Sequence, residues 1–230
     1  MIGIIGAMDE EVEQIVSAME IERTEEKAQM TFRQGSLNGT EIVIVRSGIG
    51  KINAAACAQI LCDDFKVDYI INTGIAGSLD AKIDIGDIVI STDALHHDVD
   101  ATNFGYPVGQ VPRMDVLSFP ADKKLIELAL EACKKAVPEI GIHTGRVCSG
   151  DQFISDQAVK DKIIKNFGGS CCEMEGASIA HVAYLNNVPF VILRAISDKA
   201  DNSATVDYPT FEKKAIANSV KLIKQLCAEI

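Results

Sequence analysis

The fold is decided by the stretch Phe190-Val191-Ile192-Leu193-Arg194-Ala195-Ile196-Ser197-Asp198. A short, nearly continuous apolar run of this kind is typical of a strand buried on both faces of a sheet. The run ends on Asp198, and a carboxylate beside a core needs partners to offset its desolvation. A second run, residues 171–175, ends on Glu175 in the same way. Because the ends of neighbouring strands in α/β folds open onto one crevice, the two acids are predicted to face one ligand.

Outward from this stretch, short Ile- and Val-rich runs alternate with longer amphipathic segments. Strands are predicted at 2–6, 31–36, 41–47, 68–73, 87–92, 142–149, 171–174 and 189–196, and helices at 9–20, 51–64, 121–136, 156–166, 175–187 and 209–228. Asn38-Gly39 has the chemistry of a hairpin turn, so at least one strand pair is antiparallel. The pattern predicts an α/β fold of three α/β/α layers around a central twisted mixed sheet.

The chain length favours one domain spanning residues 1–230, because single cores stop growing only beyond roughly 250 to 300 residues. Hydrophobic residues make up 47% and charged residues 24% of the chain, as in an average globular protein. The segment from His96 to Ser118 lacks clear periodicity and carries aromatic and proline residues. Loops this long usually line a site or a partner surface, so this one is predicted to contribute to a dimer contact.

Charge and cysteine usage restrict the function class. The formal net charge is −11, and Lys and Arg form no cluster along the chain, so nucleic acids and anionic membranes are poor partners. The 7 cysteines show no paired spacing and are predicted to be reduced and buried. No basic-flanked leader and no apolar run of the ~20 residues needed for a membrane helix occurs, which predicts a cytoplasmic protein.

Several local motifs suggest other chemistry but are incomplete. Gly3 and Gly6 precede a helix, yet a dinucleotide fingerprint needs three correctly spaced glycines. Residues 47–51, Ser-Gly-Ile-Gly-Lys, lack the spacing of a Walker loop, although a small ligand loop stays possible. His96-His97-Asp98 has no third well-spaced ligand to complete a metal shell, and Gly-x-Ser-x-Gly is absent. We therefore predict neither a metal nor a cofactor.

Three acidic positions remain after these motifs are set aside: Asp9-Glu10-Glu11, Glu173 with Glu175, and Asp198. Each also has a purely structural interpretation. Acids in the first turn of a helix are stabilised by its dipole, and Asp198 could form a surface pair with Lys199. Considered one at a time, none of these positions establishes a function.

Together with their flanking residues, these acids resemble a known family over nearly the whole chain. The matching segments are residues 4–11 (Ile-Ile-Gly-Ala-Met-Asp-Glu-Glu), 47–51, 72–77 (Asn-Thr-Gly-Ile-Ala-Gly), 86–89, 104–106, 149–154 (Ser-Gly-Asp-Gln-Phe-Ile), 173–175 and 194–198. In this order, they resemble the methylthioadenosine/S-adenosylhomocysteine nucleosidases of the purine nucleoside phosphorylase superfamily. The resemblance implies an enzyme of nucleoside catabolism and methionine salvage that releases adenine and a 5′-thioribose product.

The resemblance assigns roles that the chemistry requires. Cleaving an N-glycosidic bond expels a purine, which leaves well only when its ring is protonated, from an oxocarbenium-like ribose that water attacks. Asp198 would protonate adenine N7, Glu11 would deprotonate the water, and Glu175 would stay charged and hold the ribose hydroxyls. The helix dipole would keep Glu11 ionised, whereas desolvation would keep Asp198 protonated.

The resemblance also implies a pocket completed by a homodimer. Phe153 would stack on adenine while the backbone of Ile154 binds its edge, with Met174 under the ribose and Gly77 leaving room nearby. An apolar slot for the 5′-thio group would be lined by Met8, Ile49 and Tyr208 and closed by the partner subunit's loop residues, which correspond to Ala101, Phe104 and Pro112 of this sequence. The alternative for Phe153, Ile154 and Met174 is simple core packing.

Three positions depart from the family pattern, one of them Ser78, which stands where a second Gly is common. Ile75 stands where some members carry a Ser that orients the acid, so Asp198 must be held by backbone amides or other neighbours. Tyr208 stands where Phe is usual, and its hydroxyl could narrow the 5′ slot or hydrogen-bond a longer substituent.

Two other functions stay open. A purine nucleoside phosphorylase would need clustered Arg or Lys for phosphate, which the sequence lacks. A non-catalytic nucleoside-binding module would have no use for an acid and a base. Within the nucleosidases, the sequence does not choose between methylthioadenosine, S-adenosylhomocysteine, 5′-deoxyadenosine and aminofutalosine-type substrates.

Overall fold

The structure is a computed structural model that describes residues 1–205 and 207–230 and, for Val206, only its place in a helix. The strands are β1 (Ile2–Gly6), β2 (Glu20–Lys27), β3 (Met30–Leu37), β4 (Thr40–Arg46), β5 (Tyr69–Ser78), β6 (Ile88–His96), β7 (Phe119–Pro120), β8 (Ile142–Ser149), β9 (Cys171–Glu173) and β10 (Phe190–Asp198). The helices are α1 (Asp9–Val16), α2 (Lys51–Asp63), α3 (Lys123–Ala136), α4 (Gln157–Phe167), α5 (Gly176–Asn186) and α6 (Ala204–Cys227), with a 3-10 turn at Thr102–Phe104.

The strands form one mixed sheet, and part of it closes on itself. Strands β5, β10, β6, β8 and β9 form a ring in which each member pairs with two others. From β5 the sheet continues outward through β1, β4 and β3 to the edge strand β2. The predicted mixed sheet is confirmed, but its closure was not predicted, because apolar periodicity does not report which strands pair.

Helices cover both faces of the sheet, which confirms the three α/β/α layers. One core cluster joins buried residues of α2 and α5 to the sheet, and a second joins α1, α3 and α6 to its other face. Alternating residues of β1 show the division, since Ile5 lies in the first cluster and Ile4 in the second. All nine residues of β10 are buried, as expected for a strand covered on both sides.

Strand pairing brings the sequence-predicted acids to one end of the ring. Parallel pairing of β5 with β10 sets Gly77 opposite Asp198, after a register shift between Ile196 and Asp198. Gly77 also pairs with Cys172 of β9, one residue before Glu173. The segments around Asp198 and Glu175, which lie apart in the chain, therefore meet beside Gly77.

Several elements and boundaries differ from the sequence prediction, and two of these differences have identifiable reasons. Strand β2 was not predicted, because it is a charged edge strand whose residues are mostly exposed. Its turn to β3 uses Ala28 and Gln29, both at positive φ, and therefore lacks the glycine signal. Helix α6 begins at Ala204, before Pro209, whereas the prediction began at the proline. The Asn38-Gly39 hairpin is confirmed, with both residues at positive φ between antiparallel β3 and β4.

Other predictions from composition can also be checked. All seven cysteines are buried free thiols, as predicted. Within the described part of the chain, no helix has the length and apolar character needed to cross a membrane.

Candidate active site

A cavity of about 310 Å³ opens where β1, β5, β9 and β10 end. It is lined by Ala7, Met8, Glu11, Ile49, Ile75, Ala76, Gly77, Phe153, Cys172, Glu173, Met174, Glu175, Ser197, Asp198 and Tyr208. Among these described lining residues, none is a lysine or an arginine. The cavity thus combines buried carboxylates with an otherwise apolar wall.

Asp198 closes β10 and is almost fully buried. Its Oδ1 accepts a hydrogen bond from the backbone N–H of Ala200 at 2.7 Å, and its Oδ2 accepts one from the Ser197 hydroxyl at 2.9 Å. These donors supply the support that Ile75 cannot give. Burial raises the pKa of Asp198 above its ordinary value, while the bonds from Ala200 and Ser197 act in the opposite direction.

Gly77 allows the acid to lie this close to β5. A Cβ at position 77 would stand 2.7 Å from Oδ1 of Asp198 and 2.8 Å from the Cβ of Ala200. Real Cβ atoms do not approach neighbours so closely, so any side chain here would displace the acid or the loop behind it. Gly77 thus leaves room for Asp198 and Ala200, while its predicted role of leaving room beside the ribose stays a prediction.

Glu11 lies in the first turn of α1 and is also buried. Its Oε2 accepts backbone N–H bonds from Ala7 at 2.6 Å and Met8 at 3.0 Å, and its Oε1 accepts one from Ile75 at 3.3 Å. Burial raises its pKa, whereas Arg194 and these three amides act to lower it.

Glu175 is the N-cap residue of α5, and its Oε1 accepts the backbone N–H of Gly50 at 2.8 Å. Burial and the neighbouring carboxylate of Glu173 raise its pKa to about 7, with Arg194 and the Gly50 amide opposing them. The loop at 47–51 therefore positions this acid, and the backbone N–H of Lys51 donates to Asp151 at 2.8 Å.

The expected electrostatic contrast between the acids is not found. Glu11 was expected to be held ionised and Asp198 protonated, yet burial raises the pKa of both. Glu175, which was expected to stay charged, has a pKa near neutrality. The helix dipole is outweighed because the Glu11 side chain is buried, unlike those of Asp9 and Glu10 in the same turn, so desolvation dominates.

A buried arginine beneath the cavity was missed as a functional residue. Arg194 lies in the middle of β10, donates to Asn72 Oδ1 at 2.5 Å and forms an ion pair with Glu173. Oε2 of Glu173 also accepts the backbone N–H groups of Glu175 at 3.1 Å and Gly176 at 2.7 Å. A charged residue inside an apolar strand was the available signal, because burial of Arg requires an anionic partner.

Arg194 serves several acids because β5 leaves it room at Gly74. A Cβ there would stand 2.3 Å from Nη1 of Arg194 and 2.8 Å from Oε1 of Glu11. The guanidinium lowers the pKa of both Glu11 and Glu175. One cation thus faces several carboxylates and lowers their pKa, but burial, joined for Glu175 by the charge of Glu173, outweighs it and raises the pKa of both acids.

The apolar residues predicted for the site also border the cavity. Phe153 is half exposed, and its ring meets that of Tyr208 edge to face with centroids 5.7 Å apart. The Tyr208 hydroxyl donates to Glu212 at 3.0 Å and lies 3.5 Å from the Met8 sulfur. Ile49 and Met174 complete this wall. Ile154 lies beside a smaller adjoining space that Gly77, Met174 and Asp198 also border.

The three residues expected to reach a partner's pocket lie outside the cavity of their own chain. Ala101, Phe104 and Pro112 belong to the irregular connection between β6 and β7. Phe104 is 84% exposed, a large fraction for an aromatic side chain. This placement leaves them available to another molecule.

Comparison with known proteins agrees with this architecture. Residues 1–228 match the family model described as the phosphorylase superfamily. A 5′-methylthioadenosine/S-adenosylhomocysteine nucleosidase from Maridesulfovibrio salexigens is 42% identical over 100% of this chain and 99% of its own length. The same enzyme from Neisseria meningitidis, solved with methylthio-immucillin-A, superposes with a TM-score of 0.95 at 37% identity, covering 100% and 99% of the two chains.

A related activity is also represented among the solved structures. Futalosine hydrolase of Helicobacter pylori gives a TM-score of 0.94 at 31% identity, with 100% of this chain and 97% of that chain covered. The fold and the carboxylate-lined cavity define a member of the phosphorylase superfamily. Within that superfamily, the chain belongs to the methylthioadenosine/S-adenosylhomocysteine nucleosidase family and is an enzyme of the nucleosidase class.

Proposed function

We propose that this enzyme hydrolyses the N-glycosidic bond of 5′-methylthioadenosine and S-adenosylhomocysteine, releasing adenine and the 5′-thioribose product. The observation that carries the proposal is the shared cavity of Glu11, Glu175 and Asp198, which also has an aromatic ring and an apolar slot. The similar proteins described above are named for these two substrates, which supports the same assignment.

In this proposal the three acids divide the reaction between them. Asp198, whose pKa is raised by burial, donates a proton to adenine N7 as the bond to ribose lengthens. Glu11 accepts a proton from the water that attacks the anomeric carbon, and its three backbone donors hold it in position. General acid and base catalysis each contribute typically about 10²- to 10⁴-fold.

Glu175 binds the ribose hydroxyls as a carboxylate. Because its pKa is about 7, part of the enzyme carries a protonated Glu175 at neutral pH. Substrate therefore binds either to the deprotonated fraction or with loss of the Glu175 proton. Two hydroxyl donors facing the carboxylate would favour its charged form, because hydrogen bonds to an anion lower its pKa. Substrate binding and ionisation of Glu175 are therefore coupled.

The remaining residues would select the nucleoside. Phe153 stacks on adenine, the backbone of Ile154 binds the edge of the base, and Met174 packs under the ribose beside Gly77. Met8, Ile49 and Tyr208 receive the 5′-thioether, and Ala101, Phe104 and Pro112 of the partner subunit cover it in a homodimer. An apolar slot of this composition suits a thioether and disfavours a phosphate.

Adenine release tests the proposal directly. With purified enzyme and methylthioadenosine, we expect free adenine and 5-methylthioribose at a rate that does not change when phosphate is added. A rate proportional to phosphate, with a ribose 1-phosphate product, would instead identify a phosphorylase. Binding without turnover would identify a non-catalytic nucleoside-binding module.

Relative catalytic efficiencies then define the physiological substrate. The futalosine hydrolase likeness makes an aminofutalosine-type nucleoside the strongest competitor. We expect kcat/KM to be highest for the two thioethers, lower for 5′-deoxyadenosine and lowest for the aminofutalosine-type compound, whose 5′ substituent is bulkier. The reverse order would assign the chain to futalosine hydrolysis.

A further inference from the structure

A buried lysine stands behind the proposed acid. Lys160 lies in the first half of α4 and is 9% exposed, and it is the only lysine that the described part of the chain buries. Buried ammonium groups are costly unless they are paired and hydrogen-bonded, so a lysine in this position needs a specific reason.

The partner of Lys160 is the peptide group between Lys199 and Ala200, one peptide beyond Asp198. Nζ of Lys160 donates to the backbone carbonyl of Lys199 and lies 3.9 Å from Oδ2 of Asp201. The N–H of that same peptide belongs to Ala200 and donates to Oδ1 of Asp198 at 2.7 Å. One planar peptide is therefore held by the lysine at its oxygen and by the acid at its nitrogen.

The backbone conformation explains why this peptide needs support. Ala200 has a φ of 51°, a left-handed conformation that costs a non-glycine residue roughly 1 kcal/mol or more. Its side chain is fully buried in the cluster that contains Ile154 and Ile163. The side chain of Lys199 itself is also held, because its ammonium donates to the carbonyl of Ile83 at 2.7 Å.

From this geometry we infer that Lys160 is a positioning residue for the general acid, acting through the Lys199–Ala200 peptide. This inference rests on the proposed role of Asp198. Lys160 would support the acid indirectly, through the Ala200 N–H, where Ile75 cannot support it directly. A charged donor at the carbonyl also polarises the peptide, so its N–H stabilises the carboxylate that Asp198 becomes after donating its proton.

Lys160 also connects the proposed acid, through α4, to the proposed adenine-binding segment. The helix starts directly after the segment that carries Phe153 and Ile154, and its N-cap Asp156 accepts the backbone N–H groups of Ala158 at 2.8 Å and Val159 at 3.1 Å. Lys160 thus ties the acid to the element that follows the proposed adenine-binding segment. This link would keep the proton donor and the base at a constant separation.

The test compares two substrates that differ in their need for an acid. Methylthioadenosine requires protonation of its leaving group, whereas a 4-nitrophenyl 5-methylthioriboside loses a stable phenolate without it. For Lys160→Met, which keeps the length of the side chain but not the donor, we expect kcat on methylthioadenosine to fall about tenfold or more. On the nitrophenyl riboside we expect a change of less than about threefold, since no acid is required.

Two further variants make the result specific. Lys160→Arg retains a charged donor and should recover most of the kcat on methylthioadenosine. Lys165→Met, which removes an exposed lysine of the same helix, should match the wild-type enzyme on both substrates. Asp198→Asn serves as the reference for complete loss of the acid.

The outcomes separate this inference from the proposed function. An unchanged kcat in Lys160→Met, or an equal loss on both substrates, would overturn the positioning role while leaving Asp198 as the acid. If Asp198→Asn itself hydrolysed methylthioadenosine at the wild-type rate, the proposed acid would be wrong, and the role inferred for Lys160 would fall with it.

Discussion

At the scale of single residues, Asp198 combines a raised pKa with two hydrogen-bond donors that hold it at the cavity wall. Burial favours the protonated form of the carboxyl, and the two donors favour its anion. The same carboxyl can therefore be an acid before the reaction and a stable carboxylate after it.

Replacement of Asp198 by Asn is expected to lower kcat for adenine release about 10²- to 10⁴-fold, because Asn keeps the shape but has no transferable proton. Adenine appearance under saturating substrate measures the loss, and an unchanged thermal midpoint shows that the variant folds. Asp161→Asn, at an exposed acid of α4, is the control and should leave kcat unchanged. A fully active, folded Asp198→Asn enzyme would contradict the assignment.

Keeping the Glu175 carboxylate inside the protein lowers the free energy of unfolding. Its pKa rises from 4.5 to about 7, so the folded state binds its proton more tightly than the unfolded chain does. The free energy of unfolding therefore falls as pH rises from 4.5 to about 7, and the cost is fully present above that range.

Glu175→Gln removes this cost, since the amide imitates the protonated acid and can still accept the Gly50 N–H. We expect the variant to be more stable than the wild type by on the order of 2 kcal/mol at pH 8, with the difference vanishing near pH 4. Urea unfolding at both pH values measures this. Turnover should be strongly reduced because the ribose hydroxyls lose their anionic acceptor, and a stability difference that persisted at the low pH would argue against burial as its cause.

At the scale of elements, β5 creates space for the charged groups by carrying glycines where β10 and α1 approach it. Gly74 leaves room for Arg194 and Glu11, and Gly77 leaves room for Asp198. The strand is therefore part of the site even where it contributes no functional side chain.

Gly74→Ala should disrupt this arrangement, because its Cβ would stand 2.3 Å from Nη1 of Arg194. We expect a loss of about 1 to 3 kcal/mol in stability together with a large loss of kcat, as the arginine and Glu11 move apart. The matched control is Gly3→Ala in β1, whose nearest neighbour is a movable methyl of Leu61 at 3.0 Å. Equal activity of the two variants would show that the close approach at Gly74 does not matter.

At the scale of the whole molecule, the exposed apolar residues suggest how a second subunit would complete the site. Phe104 is 84%, Ile52 83% and Ile49 55% exposed, and Ile49 borders the cavity. Large exposed apolar side chains near a site are typical of surfaces covered in an assembly.

Phe104→Glu is therefore expected to dissociate the proposed homodimer and to raise the KM for methylthioadenosine about tenfold or more, because a charge would be buried and the 5′ slot left open. Light scattering coupled to size exclusion measures the mass, and initial rates measure KM. Ile21→Glu, on the charged edge strand β2, should change neither. A monomeric wild-type enzyme with normal KM would rule out the partner's contribution.

Much of this architecture was accessible from sequence because it depends on local patterns. Buried strands such as β1 and β10 are apolar runs in the sequence. Helices α3 and α4 begin after Asp N-caps, and Asn38-Gly39 indicates the hairpin turn. Strand β2 was missed because its charged, exposed residues carry no apolar period and its turn has no glycine. Periodicity reports burial, and an exposed edge strand has almost none.

The sequence by itself determined the α/β class, the strand-end acids and, through its motifs, the family resemblance. Only the tertiary structure decided the closure of the five-stranded ring, the presence of Arg194 beneath the acids and the directions of their pKa shifts. The physical reason is that strand order and desolvation depend on contacts between residues distant in the chain. Helix position suggested an ionised Glu11, but the packing around it raised its pKa and brought it close to Arg194.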